Sequence, residues 1–103
     1  MGTSKTLFFS KRINKTAVLC HALGHPARIA IVEILLKKNK LIANSIAKSL
    51  PLAQPTIAQH LKILLSAEIL EISLEDSSVY YQIDKEKLHL LSNRIEELKS
   101  RLI

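Results

Sequence analysis

Apolar positions along this chain recur first at helical spacing and later in alternation, and the change of period locates the elements. Between Ser10 and Leu23, Ile13, Ala17 and Cys20 recur at helical intervals, and Gly24 ends the run. Pro26 opens a second helix, since proline suits a first turn whose N–H groups lack partners anyway. Ile29, Val32, Leu35 and Leu36 form its expected inward stripe, and Lys37-Lys38-Asn39-Lys40 closes it with cations that complement the helix dipole. A short third helix carries Ile42, Ile46 and Leu50 and stops at Pro51. Pro55 opens a fourth, Gln54 to Ser66. At about 100° per residue, Ile57, Leu61 and Leu64 share one face of it, Gln59, Lys62 and Ser66 point the opposite way, and Thr56 lies on a flank.

The period then drops to two over Ile69–Leu74. Glu75-Asp76-Ser77-Ser78 is turn-like, and Val79-Tyr80-Tyr81-Gln82-Ile83 is rich in strand formers, so the pair predicts a hairpin. Lys85 to Ile103 returns to helical spacing, with Leu88, Leu91, Ile95, Leu98 and Leu102 at alternating intervals of three and four, a heptad seam. The predicted fold is therefore mainly α with a small β-hairpin. Two short helices joined by Leu50-Pro51-Leu52-Ala53 and followed by a hairpin describe a winged helix-turn-helix, whose second helix is the one offered to the DNA major groove. Residues 10–103 are expected to form that domain with a C-terminal dimerisation helix, and residues 1–9 a basic N-terminal tail, frayed over Met1–Thr6.

Composition narrows the function. A chain of 103 residues fits one domain, and 48% hydrophobic with 23% charged residues is a globular balance. Only 2 Gly and 3 Pro oppose a turn-rich all-β fold. No apolar run approaches the roughly 20 residues that span a bilayer, so a cytoplasmic protein with no membrane partner is expected. The lone Cys20 cannot make an internal disulfide or a multi-thiolate metal site, and on its apolar stripe it reads as a small buried hydrophobe. No paired nucleophile and base, glycine-rich phosphate loop or ligand cluster is present, which argues against an enzyme and against a cofactor. The net charge of +6 is uneven: residues 1–40 carry eight bases against one acid, whereas residues 71–103 carry seven acids and five bases. Such a basic segment suits a polyanion or is simply a solvated surface.

Three motifs in register then carry a resemblance. Ala22-Leu23-Gly24-His25-Pro26-Ala27-Arg28 before an aliphatic helix resembles the opening motif of the ArsR–SmtB family of winged-helix repressors. Ala53-Gln54-Pro55-Thr56-Ile57-Ala58-Gln59-His60-Leu61-Lys62-Ile63-Leu64 resembles its recognition helix, and Val79–Ile83 its second wing strand. The resemblance, over about Thr16 to Ile83, implies a homodimeric prokaryotic repressor of an inverted-repeat operator in double-stranded DNA. It also implies where family metal sites would fall, and the chain departs there. The thiolate pair would sit at Ile42 and Asn44, and the last helix offers only His89 among Asp84, Glu86, Glu96 and Glu97. No metal site is expected, and an inducer is not identifiable.

Gln59 is the leading base reader, because glutamine can bond bidentately to adenine. Gln54 and Thr56, near the helix start, follow, and Lys62 is suited to phosphate. His60 lies beside the core stripe, where packing and DNA contact are equally open; Arg28 is open between an acid and DNA, and His21 and His25 read as structural. At the wing tip Glu75 and Asp76 would repel phosphate, leaving Ser77 and Ser78 as the donors. Phe9, Ile13, Leu88, Leu91, Ile95, Leu98 and Leu102 are the expected dimer interface, with Phe8 beside them. The alternative function is a winged-helix protein-interaction module that has lost DNA binding.

Overall fold

The computed structural model describes residues 7–103. The tail expected over Met1–Thr6 lies outside the described residues. The elements run α1 (Lys11–Leu23), α2 (Pro26–Lys38), β1 (Lys40–Leu41), α3 (Ala43–Lys48), α4 (Gln54–Ser66), β2 (Leu70–Glu75), β3 (Ser78–Ile83) and α5 (Lys85–Lys99). They make a winged helix-turn-helix, mainly α with a three-stranded antiparallel sheet in the order β1-β3-β2. Among the described residues no single helix is long and apolar enough to cross a membrane.

The helix ends follow from local chemistry. Ser10 Oγ accepts from Ile13 N–H at the start of α1, and Asp84 Oδ1 accepts from Glu86 N–H at the start of α5. At the end of α4, Ile69 N–H donates to Leu64 O and Glu68 N–H to Leu65 O, with Glu68 at φ 63. That is a Schellman closure with glutamate in the left-handed position usually held by glycine. The hairpin turns on Asp76 and Ser77, at φ 48 and 67, between Glu75 and Ser78. Two left-handed central residues match the right-handed twist of the flanking strands. The strand β1 was not visible in the sequence, where Lys40 reads as the helix end; it pairs Lys40 with Gln82 and Leu41 with Tyr81.

One core joins α1 to α4, β2 and β3: Leu19 and Ala22 from α1, Ile31, Val32 and Leu35 from α2, Ile46 from α3, Ile57, Leu61 and Leu64 from α4, then Ile69, Leu70 and Ile83, with Leu41 of β1 and Leu88 and Leu91 of α5 packed against it. Three sequence expectations are corrected here. On α2 the buried row is Arg28, Ile31, Val32 and Leu35, while Ile29 and Leu36 face outward. On α1, Leu19 and Ala22 are inside and Ile13 and Ala17 outside. Cys20 is exposed, not buried. Both helices carry apolar residues on more than one side, so periodicity finds the helix without choosing its inner face. On α5 no residue is fully buried.

Candidate nucleic-acid interface

The helix-turn-helix is α3, the connection 49–53 and α4. Burial of Ile57, Leu61 and Leu64 fixes the rotation of α4, and the opposite face must look outward. Gln59, Lys62 and Ser66 are exposed there, as the spacing predicts, and Thr56 on the flank and Gln54 at the helix start are exposed as well. Gln54 Nε2 also donates to Asn44 Oδ1 at 3.3 Å, tying the start of α4 to α3. Lys62 has no carboxylate within ion-pair distance among the described residues, so its charge is free for an external anion.

His60 sits at the edge of this face, half-buried. Its Nδ1 lies 3.2 Å from Arg28 Nη1, and its ring centroid is 4.5 Å from that of His25. Burial, then the neighbouring His25 and the Arg28 cation, push its pKa below the ordinary imidazole value. His25 is structural as expected: it caps α2 by accepting from Ala27 N–H at 3.0 Å.

Arg28 meets neither of the partners considered for it. It is 7% exposed, and its Nε donates to Ala22 O at 2.7 Å and its Nη2 to His21 O at 3.3 Å. The reason lies in the helix end. α1 stops at Leu23, so Ala22 O is among the last carbonyls, which no N–H of the same helix reaches. Arg28 supplies the missing donor and joins the end of α1 and the start of α2 to His60 in the middle of α4. The usable signal was its register with Ile31, Val32 and Leu35, which puts a cation on the buried face.

The wing differs in charge from its sequence. Lys40, on β1, pairs with Glu75 and lies 5.2 Å over the Tyr80 ring, and Ser73 Oγ donates to Glu75 Oε2 at 3.1 Å. These hydrogen bonds hold the Glu75 carboxyl below its usual range. Of the two tip acids, Glu75 is thus neutralised within the fold. Asp76 and Ser77 are exposed at the turn, and Ser78 is half-buried.

The expected interface residues separate into two groups. Leu88 and Leu91 pack on the protomer's own core. Phe9, Ile13, Ile95, Leu98 and Leu102 are exposed, Ile95 at 48% and Leu98 at 55%. Leu102 lies beyond the end of α5. The helices α1 and α5 lie together, joined by Arg94 Nε to Thr16 Oγ1 at 2.9 Å and by Arg12 and Arg94 on Glu97. These two cations lower the Glu97 pKa. Ile42 caps α3 and Asn44 lies in its first turn. Among the described residues no three of His, Cys, Asp and Glu come together as a metal site.

Comparison with known proteins places this geometry. The profile described as "Bacterial regulatory protein, arsR family" matches residues 25–71. The transcriptional repressor PagR of Bacillus anthracis is 32% identical over 72 residues, covering 70% of this chain and 72% of PagR. An uncharacterised HTH-type transcriptional regulator of Methanocaldococcus jannaschii is 28% identical over 88 residues, covering 85% of this chain and 99% of that protein. The crystal structure of PagR superposes with a TM-score of 0.66 at 29% identity, over 76% of this chain and 91% of that one. An ArsR-like regulator from Rhodococcus sp. RHA1, at 23% identity, shares the fold with a TM-score of 0.78 over 85% of this chain and 82% of its own.

Proposed function

Because this chain belongs to the arsR family of bacterial regulatory proteins, we propose that it is a homodimeric transcriptional repressor of an inverted-repeat operator. Residues 10–103 act as the DNA-binding and dimerisation domain, residues 1–9 as a basic tail, and the site of action is the cytoplasm. The observation that carries this reading is the outward face of α4, where Gln59 and Lys62 stand exposed while the opposite stripe is locked in the core, with Thr56 on the flank and Gln54 at the helix start exposed beside them. PagR and the biofilm growth-associated repressor of Agrobacterium fabrum are named repressors, which supports the direction of control.

In this account α4 lies in the major groove, Gln59 reads a base edge, and Gln54 and Thr56 contact the groove near the helix start. Lys62 binds phosphate and positions the helix without specifying sequence. The wing adds Ser77 and Ser78, with Glu75 already paired by Lys40. The exposed apolar residues of α1 and α5, Phe9, Ile13, Ile95, Leu98 and Leu102, are covered by a second copy, which spaces two α4 helices for the half-sites. No metal ion takes part. Asp76, still exposed at the wing tip, favours the second reading, a protein-interaction module.

Selection from a randomised 30-base-pair duplex pool at several salt concentrations tests the choice. Enrichment of an inverted repeat, with affinity falling steeply as salt rises, is expected. No enrichment and no salt-dependent binding would leave the protein-interaction reading.

A further inference from the structure

Between the two helices of the helix-turn-helix, Gln54 Nε2 donates to Asn44 Oδ1 at 3.3 Å. Both residues are exposed, and both are anchored through their helices. Asn44 stands two residues before Ile46 of α3, and Gln54 three before Ile57 of α4, and both isoleucines are fully buried in the core. The core thus fixes where the two amides meet, at the start of the helix offered to the groove.

A primary amide has two N–H donors and one carbonyl acceptor. With one N–H given to Asn44, Gln54 keeps Oε1 and a second N–H; with Oδ1 occupied, Asn44 keeps both donors. Neither amide has another hydrogen bond among the described residues. An acceptor with a donor on Gln54 matches adenine, which offers N6–H and N7 in the major groove. Two donors on Asn44 match a phosphate oxygen. The two assignments support one another. A phosphate beside Asn44 turns its donors outward, which leaves Oδ1 for Gln54 and obliges Gln54 to donate. The reversed pair would set Asn44 Oδ1 against the phosphate, oxygen against oxygen.

We propose that Asn44 is a positioning residue for operator recognition: it binds one backbone phosphate through Nδ2 and, through Oδ1, holds the Gln54 amide so that Gln54 reads one adenine per half-site. The inference rests on the DNA-binding reading above and adds a second specifying residue to Gln59. A glutamine already tethered loses less rotamer freedom on binding than a free one. Asn44 carries no charge, so its phosphate contact leaves the salt dependence of binding as it was, unlike that of Lys62.

The experiment uses the full chain, an operator obtained by selection from randomised duplexes, and the same duplex with each base pair of one half-site replaced in turn. Gln54→Ala is expected to erase a roughly tenfold preference for A·T at one position. Asn44→Ala should erase the same preference and weaken every duplex by a common factor, with the salt slope unchanged. A merely structural role would lower affinity without touching that preference. Asn44→Asp keeps the acceptor for Gln54 but sets a negative charge against phosphate. It should bind every duplex at least about tenfold more weakly and still retain the A·T preference. Gln54→Ala added to Asn44→Ala should cost less than about twofold more on the operator, because the reading is already lost.

An A·T preference untouched by Gln54→Ala, surviving Asn44→Ala or lost in Asn44→Asp overturns the inference. So does a Gln54→Ala cost that is equal in both backgrounds. In each case operator binding by the parent leaves the DNA-binding reading standing. A parent that binds no duplex sinks that reading, and the inference with it.

Discussion

Replacing Arg28 by methionine keeps much of the side-chain volume and removes every donor. The carbonyl of Ala22 suffers most, because it lies in the last turn of α1, where no further N–H of the helix serves it, and Ala22 itself is 1% exposed. Leaving a buried acceptor bare costs about 1–3 kcal/mol, and hydrogen bonds to a charged donor contribute about 1.5–3 kcal/mol. The bonds to His21 O and His60 Nδ1 are longer and partly buried, so they add less. The methionine recovers some apolar burial, about 1 kcal/mol. A net loss of about 2–3 kcal/mol is expected, which for a domain of this size lowers Tm by about 10–20 °C. Arg28→Lys should recover only part of it, since one ammonium on a flexible stem cannot span two carbonyls and a ring. The assay is thermal unfolding by circular dichroism, with the His60 imidazole followed by NMR. Removing the cation relieves one of the forces that lower the His60 pKa, so its titration should move upward. A Tm within 2 °C of the parent, or an unmoved titration, would refute the view that Arg28 ties three helices together.

Four further outcomes follow from the same structure. Ile95→Asp with Leu98→Asp, both outside the protomer core, should give a folded monomer at micromolar concentration in sedimentation; an intact dimer would place the interface elsewhere. Leu64→Ala, at a fully buried position, should cost about 2–5 kcal/mol in urea unfolding, against little for a single exposed site. The His60 pKa is lowered in the folded state, so the unfolded chain holds more protons: stability from this ring is complete above its ordinary value of 6.5 and declines as pH falls below it, a slope that His60→Gln should remove. Zinc, cadmium, nickel or arsenite should change DNA affinity by less than about tenfold; a stoichiometric, chelator-reversible release would reveal a ligand set not recognised in Ile42, Asn44 and the surroundings of His89.

The sequence made the element order legible because the period of its apolar residues changes sharply at Ile69, and the proline positions mark two helix starts. It made the outer face of α4 legible for the same reason: Ile57, Leu61 and Leu64 are that helix's cleanest stripe, and Gln59 and Lys62 had no other side to occupy. Where a helix carries apolar residues on two sides, the reading failed. Cys20 and Ile29 are outside because Leu19 and Ile31 win the core, a choice made by neighbours far along the chain. The heptad seam of α5 hid a division of labour, since Leu88 and Leu91 serve the protomer and only the later positions stay uncovered. The pairing of Lys40 with Glu75 spans 35 residues and depends on a two-residue strand, too short to announce itself. The sequence therefore made the wing look more acidic than the folded tip is.

The most direct test of the central claim separates reading from holding along α4. Fluorescence anisotropy on a selected operator and on random duplex, over a range of salt, should be run for Gln59→Ala and Lys62→Ala. Both sites are exposed, so Tm should barely move. Gln59→Ala is expected to cost about 1–3 kcal/mol on the operator and to flatten discrimination at one or two base pairs per half-site. Lys62→Ala is expected to weaken both duplexes alike and to lower the salt slope by about one per protomer. Equal losses from the two variants on every duplex would contradict the division of roles, and no loss from either would contradict α4 as the DNA-binding helix.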